Sequence, residues 1–181
     1  MKPAPQQGFS LLELMVSVAI LALVLVLGVP SMSAAMEKRR TIAAAEQIYS
    51  QLQLARFMSV ARSQQVFANI VAGSTWAMGV SDNSACDPSD NAPVCQLPDM
   101  SGSNAVTQIV SAVNFSNIAL ATSAAQITFS PQRATASTAA IDITSSGDMG
   151  YAMRVEVSLL GHIGVCSPAD PVTYVSGYRE C

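Results

Sequence analysis

From Phe9 to Val29 the chain is almost wholly Leu, Val, Ile, Ala and Met, with one carboxylate, Glu13, near the start and Gly8 just before it. As a helix this stretch is about 31 Å long at about 1.5 Å per residue, close to the thickness of a bilayer's hydrocarbon core. Such a run dictates a long apolar helix before anything else in the chain is considered. Glu13 is its anomaly, because a carboxylate within a membrane helix is costly and usually has a partner.

Met1 to Gly8 holds one base and two prolines, which makes a poor ordinary signal peptide. No small-x-small cleavage site follows at a polar boundary. Cleavage before the apolar run fits better and leaves the run on the mature protein. Pro30 closes the run and predicts a weak point near Gly28–Pro30, since proline removes a helix hydrogen bond. Helical spacing then resumes through Ile42, Ala45, Tyr49, Leu52 and Ala55. The expectation is one helix from about Phe9 to about Ser63, its second half laying an apolar stripe on a sheet. The division expected is a leader at 1–8, a transmembrane or filament-core helix at 9–30, an amphipathic half-helix at 31–66 and a strand-rich head at 67–181.

After Gln65 the pattern turns to strands. Gln65–Ala72, a Gly73-Ser74 turn and Thr75–Ser81, with Trp76, Met78 and Val80 alternating, predict a hairpin in which Trp76 anchors the core. Asp82–Gly102 reads as loop. Its acids do not have the spacing of a calcium-binding EF-hand loop, and a solvated loop is the preferred reading. Further strands are expected at Ala105–Val113, Ile118–Ala121, Gln126–Ser130, Ala139–Thr144, Arg154–Ser158 and Ile163–Cys166, followed by a polar tail from Ser167. Helix first and strands after predicts an α+β fold, a helical spine against antiparallel sheet.

Cys86, Cys95, Cys166 and Cys181 all fall in the head, with no C-x-x-C and one distant histidine, so zinc is disfavoured. Two disulfides are expected, which places the head outside the cytoplasm. Three pairings are open; Cys86–Cys95 with Cys166–Cys181 is favoured because each closes a short polar loop. Charge is unevenly spread. Phe9 to Val66 carries five bases and three acids, whereas the chain from Phe67 carries three bases and nine acids. An acidic head repels phosphate, so nucleic acid is disfavoured as a partner. The basic cluster Lys38-Arg39-Arg40 after the apolar run opposes this orientation by the positive-inside rule. The cysteines outweigh it here, and the cluster is read as facing anionic headgroups or neighbouring subunits.

Gly8-Phe9-Ser10-Leu11-Leu12-Glu13 and the apolar run resemble the processing site of type IV prepilins and type II secretion pseudopilins. The resemblance implies cleavage after Gly8 by a prepilin peptidase and N-methylation of Phe9. It also implies an assembly role for Glu13, pairing with the new amine of a neighbouring subunit. Ile127-Thr128-Phe129-Ser130-Pro131 and Val157-Ser158-Leu159-Leu160-Gly161 through Cys166 resemble the head of the FimT/FimU–GspH group of minor pilins and pseudopilins. That implies a pilin-like fold, a helix on two small antiparallel sheets, in a low-abundance subunit that starts or caps a filament. Some FimT-like members bind DNA through Gly-Arg-x-Arg; the matching positions here are Gly161-His162-Ile163-Gly164, without either arginine.

No nucleophile–base set and no Gly-rich phosphate loop are legible, so no enzyme, cofactor or metal site is expected. The leading expectation is a minor pilin of a type IV pilus, waiting in the inner membrane with its head in the periplasm. A type II secretion minor pseudopilin is the close alternative. A pilus-tip binding module, either DNA receptor or adhesin, is the alternative of another class.

Overall fold

The computed structural model describes residues 9–89, 94–99, 105–147, 149–170 and 173–181, with the backbone alone at 26–31. The chain divides into two compact units, Met1–Met36 and Glu37–Cys181. One helix, α1 (Leu11–Arg62), is the only helix longer than a single turn among the described residues. Its bounds lie within two residues of those expected. The helix is continuous across Gly28–Pro30; the side chains there, Pro30 included, lie outside the described residues. Among the described residues, no helix is long and apolar enough to cross a membrane.

In the second unit, α1 buries Ala44, Ala45, Ile48, Leu52, Ala55 and Met58 while Glu46, Gln47 and Ser50 stay exposed. Steps of three and four residues put the buried set on one face. That face packs on strands of two five-stranded sheets, in one core cluster. The first sheet contains β1 (Val66–Val71), β2 (Ala77–Ser81), β5 (Ile109–Ser111), β7 (Gln126–Ser130) and β8 (Thr135–Ala136), ordered β5-β2-β1-β7-β8. The second contains β6 (Ile118–Thr122), β9 (Ala139–Ser145), β10 (Ala152–Val157), β11 (Ile163–Ser167) and β12 (Arg179–Glu180), ordered β12-β11-β10-β9-β6. Side chains alternate across a strand, so Ile141 and Ile143 of β9 and Met153 and Val155 of β10 point inward, fully buried.

Three expectations are corrected. Ala105–Val113 is not one strand: β4 (Ala105–Thr107) pairs with β3 (Gln96–Pro98), whereas β5 pairs with β2, and a 3-10 turn follows at Ala112–Asn114. The loop expected at 82–102 therefore contains β3, which is too short for alternation to reveal. The tail is not merely polar: β12 pairs with β11, and does so in parallel. The sheets are otherwise antiparallel.

The two sheets are tied where Gly73 and Leu120 exchange backbone hydrogen bonds of 2.7 and 3.1 Å. Beside them, the fully buried Trp76 donates from Nε1 to the Ile118 carbonyl at 3.1 Å. Trp76 is thus a core anchor, its one polar atom satisfied. Asn69 of β1, almost fully buried, donates to the Ser84 and Cys86 carbonyls at 3.2 and 2.6 Å and accepts from Gln126 at 2.6 Å. This satisfied polar set fastens residues 84–86 to the sheet.

The disulfide between Cys86 and Cys95 closes that loop over β2. All five residues of β2 are buried, including Gly79, where an added Cβ would collide with the Cys95 side chain and crowd Pro88. Gly79 is the strand residue that lets the disulfide lie flat on the sheet. Gly79→Ala should therefore lower unfolding free energy by about 1–3 kcal/mol, the usual cost of overpacking, measured by denaturant titration. An unchanged midpoint would mean that the loop lifts off without resistance.

Candidate functional site

The amino-terminal site begins at Phe9. Ser10 caps α1: its Oγ accepts from the Glu13 amide at 3.2 Å, and its carbonyl accepts from the Leu14 amide at 3.2 Å. Ser10-x-x-Glu13 has the spacing of a capping box, a signal the sequence analysis passed over. Glu13 thus lies in the first turn, where the helix dipole favours a negative charge. Among the described residues no cation pairs with its carboxylate. Around it the apolar side chains are open, with Phe9 83% and Leu11 80% exposed. Gly8, on the other side of the expected cleavage point, lies outside the described residues.

At the base of the second unit, the cluster from Glu37 to Arg40 divides its labour. Glu37 accepts hydrogen bonds from the Ser145 hydroxyl and, at 3.1 Å, from the Gly150 amide, clasping the β9–β10 turn. Lys38 donates to Ser176 Oγ at 2.8 Å. Arg39 and Arg40 remain exposed. One turn and more along the helix, Glu46 accepts from the Tyr178 hydroxyl at 2.5 Å. Together with the disulfide between Cys166 and Cys181 and the buried Val175, these bonds strap the tail along α1.

The β10–β11 turn shows where side chains can and cannot go. Gly161 has φ +71°, and an added Cβ would strike the Ala134 carbonyl and approach Arg56 Nε at 3.1 Å. Only glycine satisfies both demands. Gly164 leaves a space that Arg179 fills from the tail, and Arg179 in turn pairs with Glu156 at 3.2 Å. His162 is exposed. Asp142 pairs Arg154 bidentately at 2.6 and 3.2 Å and raises its pKa further, first by hydrogen bonding and then by charge. Glu156, Cys166 and Cys181 lie close together, but the cysteines are bonded to each other and offer no thiolate to a metal.

The model of the type II transport protein GspH family matches residues 44–161, from the buried face of α1 to the β10–β11 turn. The chain belongs to the GspH family. A second model, the prokaryotic N-terminal methylation motif, matches residues 3–29 and so covers Phe9 and Glu13. Two crystal structures of the type IV minor pilin FimU from Pseudomonas aeruginosa (strain PAO1) are similar. The P21 form is 15% identical, covers 78% of this chain and 96% of that one, and has a TM-score of 0.52. The P65 form is 14% identical, covers 75% and 97%, and has a TM-score of 0.48. The P21 likeness shows a shared pilin-like α+β fold. No curated protein matches the chain. This GspH-family head thus falls in the FimT/FimU–GspH group of minor pilins and pseudopilins.

Burial first, then the hydrogen bond to Glu46 and its charge, push the Tyr178 phenol up to about 12 from an ordinary 10.0. A folded pKa above the unfolded one means the strap's contribution is complete below about pH 10 and is lost as pH rises through about 12. Ultraviolet titration should find one of the four tyrosines ionising near 12. Glu46→Gln should lower that value yet leave it above 10.0, because burial is the larger cause.

Proposed function

We propose that the protein is a minor pilin, a structural and assembly-initiating subunit of a type IV pilus. The observation that carries this reading is the pairing of a processed-type amino terminus, Phe9 to Glu13, with a pilin-like head. In the proposed sequence of events, the span Phe9–Pro30 anchors the precursor in the inner membrane with residues 67–181 in the periplasm. A prepilin peptidase cleaves between Gly8 and Phe9, and the new amine of Phe9 is methylated.

Assembly follows from one gain and one cost. The apolar side chains open along the start of α1 gain about 25 cal/mol per Å² when neighbouring helices cover them. Glu13 loses its solvation in that environment and requires a cation. The Phe9 amine of an adjacent subunit supplies one. The Glu13 carboxylate therefore selects the axial offset between subunits, and apolar burial supplies the affinity.

The name of the matched family favours a second reading, a minor pseudopilin of a type II secretion system. The same amino-terminal chemistry serves it. Deletion in the native host separates the two: loss of surface pili supports the first, and loss of a secreted enzyme with pili intact supports the second. Either machine leaves nucleic acid disfavoured, since Arg179 is already paired with Glu156.

Mass spectrometry of the native protein should find a chain starting at methylated Phe9. Glu13→Gln should reduce incorporation into sheared filaments by about tenfold or more, the order of loss when a buried charge loses its mate, as read by immunoblot. Wild-type incorporation of that variant, or a mature chain that still begins at Met1, would overturn the proposal.

A further inference from the structure

A recess of about 340 Å³ opens between the start of β2 and the 3-10 turn, within the size range of small-ligand sites. Ser74, Thr75, Ser111, Ser116 and Asn117 line it, with Phe115 as its aromatic wall. None of its lining residues is charged. That is unusual in a head with nine acids and three bases.

The lining is built in a particular way. Phe115 is half-buried and stacks on Trp76, with ring centroids 5.8 Å apart and planes at 22°. Trp76 lines the recess too, but it is fully buried and its N–H is spent on the Ile118 carbonyl, so it offers a ligand no donor. Ser111 sits at the cap of the 3-10 turn but makes no side-chain cap bond. Ser74, Thr75, Ser116 and Asn117 are exposed at its rim. Asn117 holds φ +64°, and its carbonyl accepts from the Ser146 amide at 2.8 Å. Asparagine tolerates that conformation better than most residues, so the backbone fixes an amide at the rim.

These features select a ligand class. An anion or cation finds no counter-charge in the lining. A purely apolar ligand would use Phe115, Ala112 and Val113 but none of the five hydroxyl and amide side chains. A neutral molecule with several hydroxyls and one C–H face matches both halves: hydroxyls and amide bond its oxygens, and the phenyl wall takes its apolar face. We propose that this recess binds one or two residues of a neutral glycan. The proposal concerns the head alone and does not rest on the filament reading.

Trp76 is the chain's single tryptophan and stacks on Phe115, so its emission reports on this recess directly. The experiment titrates the full mature chain, in a detergent without a sugar headgroup, with cellobiose, lactose and di-N-acetylchitobiose. The expected result is a saturable change in emission with at least one of them, half-complete below about 10 mM, the affinity of a few hydrogen bonds and one stacking contact. Asn117→Gly keeps the backbone conformation, and Ser116→Ala keeps the turn. Each should weaken that response by about fivefold, the worth of one net hydrogen bond, with an unchanged melting temperature. No saturable response to any of the three sugars, or a response that both variants leave intact, overturns the proposal. So does loss of filament incorporation in either variant without a sugar response, which would make the recess a contact between subunits.

Discussion

The burial of one helical face governs this head. Six small and medium apolar residues of α1, from Ala44 to Met58, lie against strands of both sheets. Three of the six are alanines, at 44, 45 and 55, which let the strands approach the helix axis closely. Burial of the larger three, Ile48, Leu52 and Met58, contributes about 1.5–3 kcal/mol each. Neither sheet has another described helix to cover it, so without this face each would expose its inner rows. The outer polar residues of the same helix then become free for a second purpose, holding the loops.

Those loops are held by two kinds of device. Covalent closure ties Cys86 to Cys95 and Cys166 to Cys181. Hydrogen bonds to side chains of α1 hold further segments, Glu37 the β9–β10 turn and Lys38 and Glu46 the tail. A disulfide acts chiefly by restricting the unfolded chain, whereas a hydrogen bond from a helix fixes a loop in the folded one. The tail receives both. Its last strand, β12, has only two residues and could not hold a parallel pairing by ladder bonds alone.

Three ion pairs form among the described residues of the second unit. Arg154 pairs with Asp142, Arg179 with Glu156, and Arg62 lies 3.6 Å from Asp82. The pairs are partly exposed, so each adds little stability. The apolar start of α1 is the opposite case, a surface left open with one carboxylate set among its side chains. An exposed apolar surface of this extent calls for a covering partner.

Much of this was legible in the residues. The apolar run, the spacing of Ile42 to Ala55 and the alternation through β7, β9 and β10 fix the long helix and the core strands, because period 3.6 and period 2 are local properties of the backbone. The amino-terminal methylation motif is legible for the same reason, since it lies in adjacent residues. The short strands β3, β8 and β12 were not legible, since two or three residues carry no period and are strands only because a partner lies beside them. Nor was the separate duty of Glu37 and Lys38 within one charged cluster, or the placing of Arg179 over Gly164. Those depend on residues more than a hundred positions apart, or on a gap left by a missing side chain. Local order in the sequence determined the spine, the core rows and the amino-terminal motif. Which loops the spine grips, which charges are neutralised and where five uncharged polar side chains meet one aromatic ring were decided only when the chain closed on itself.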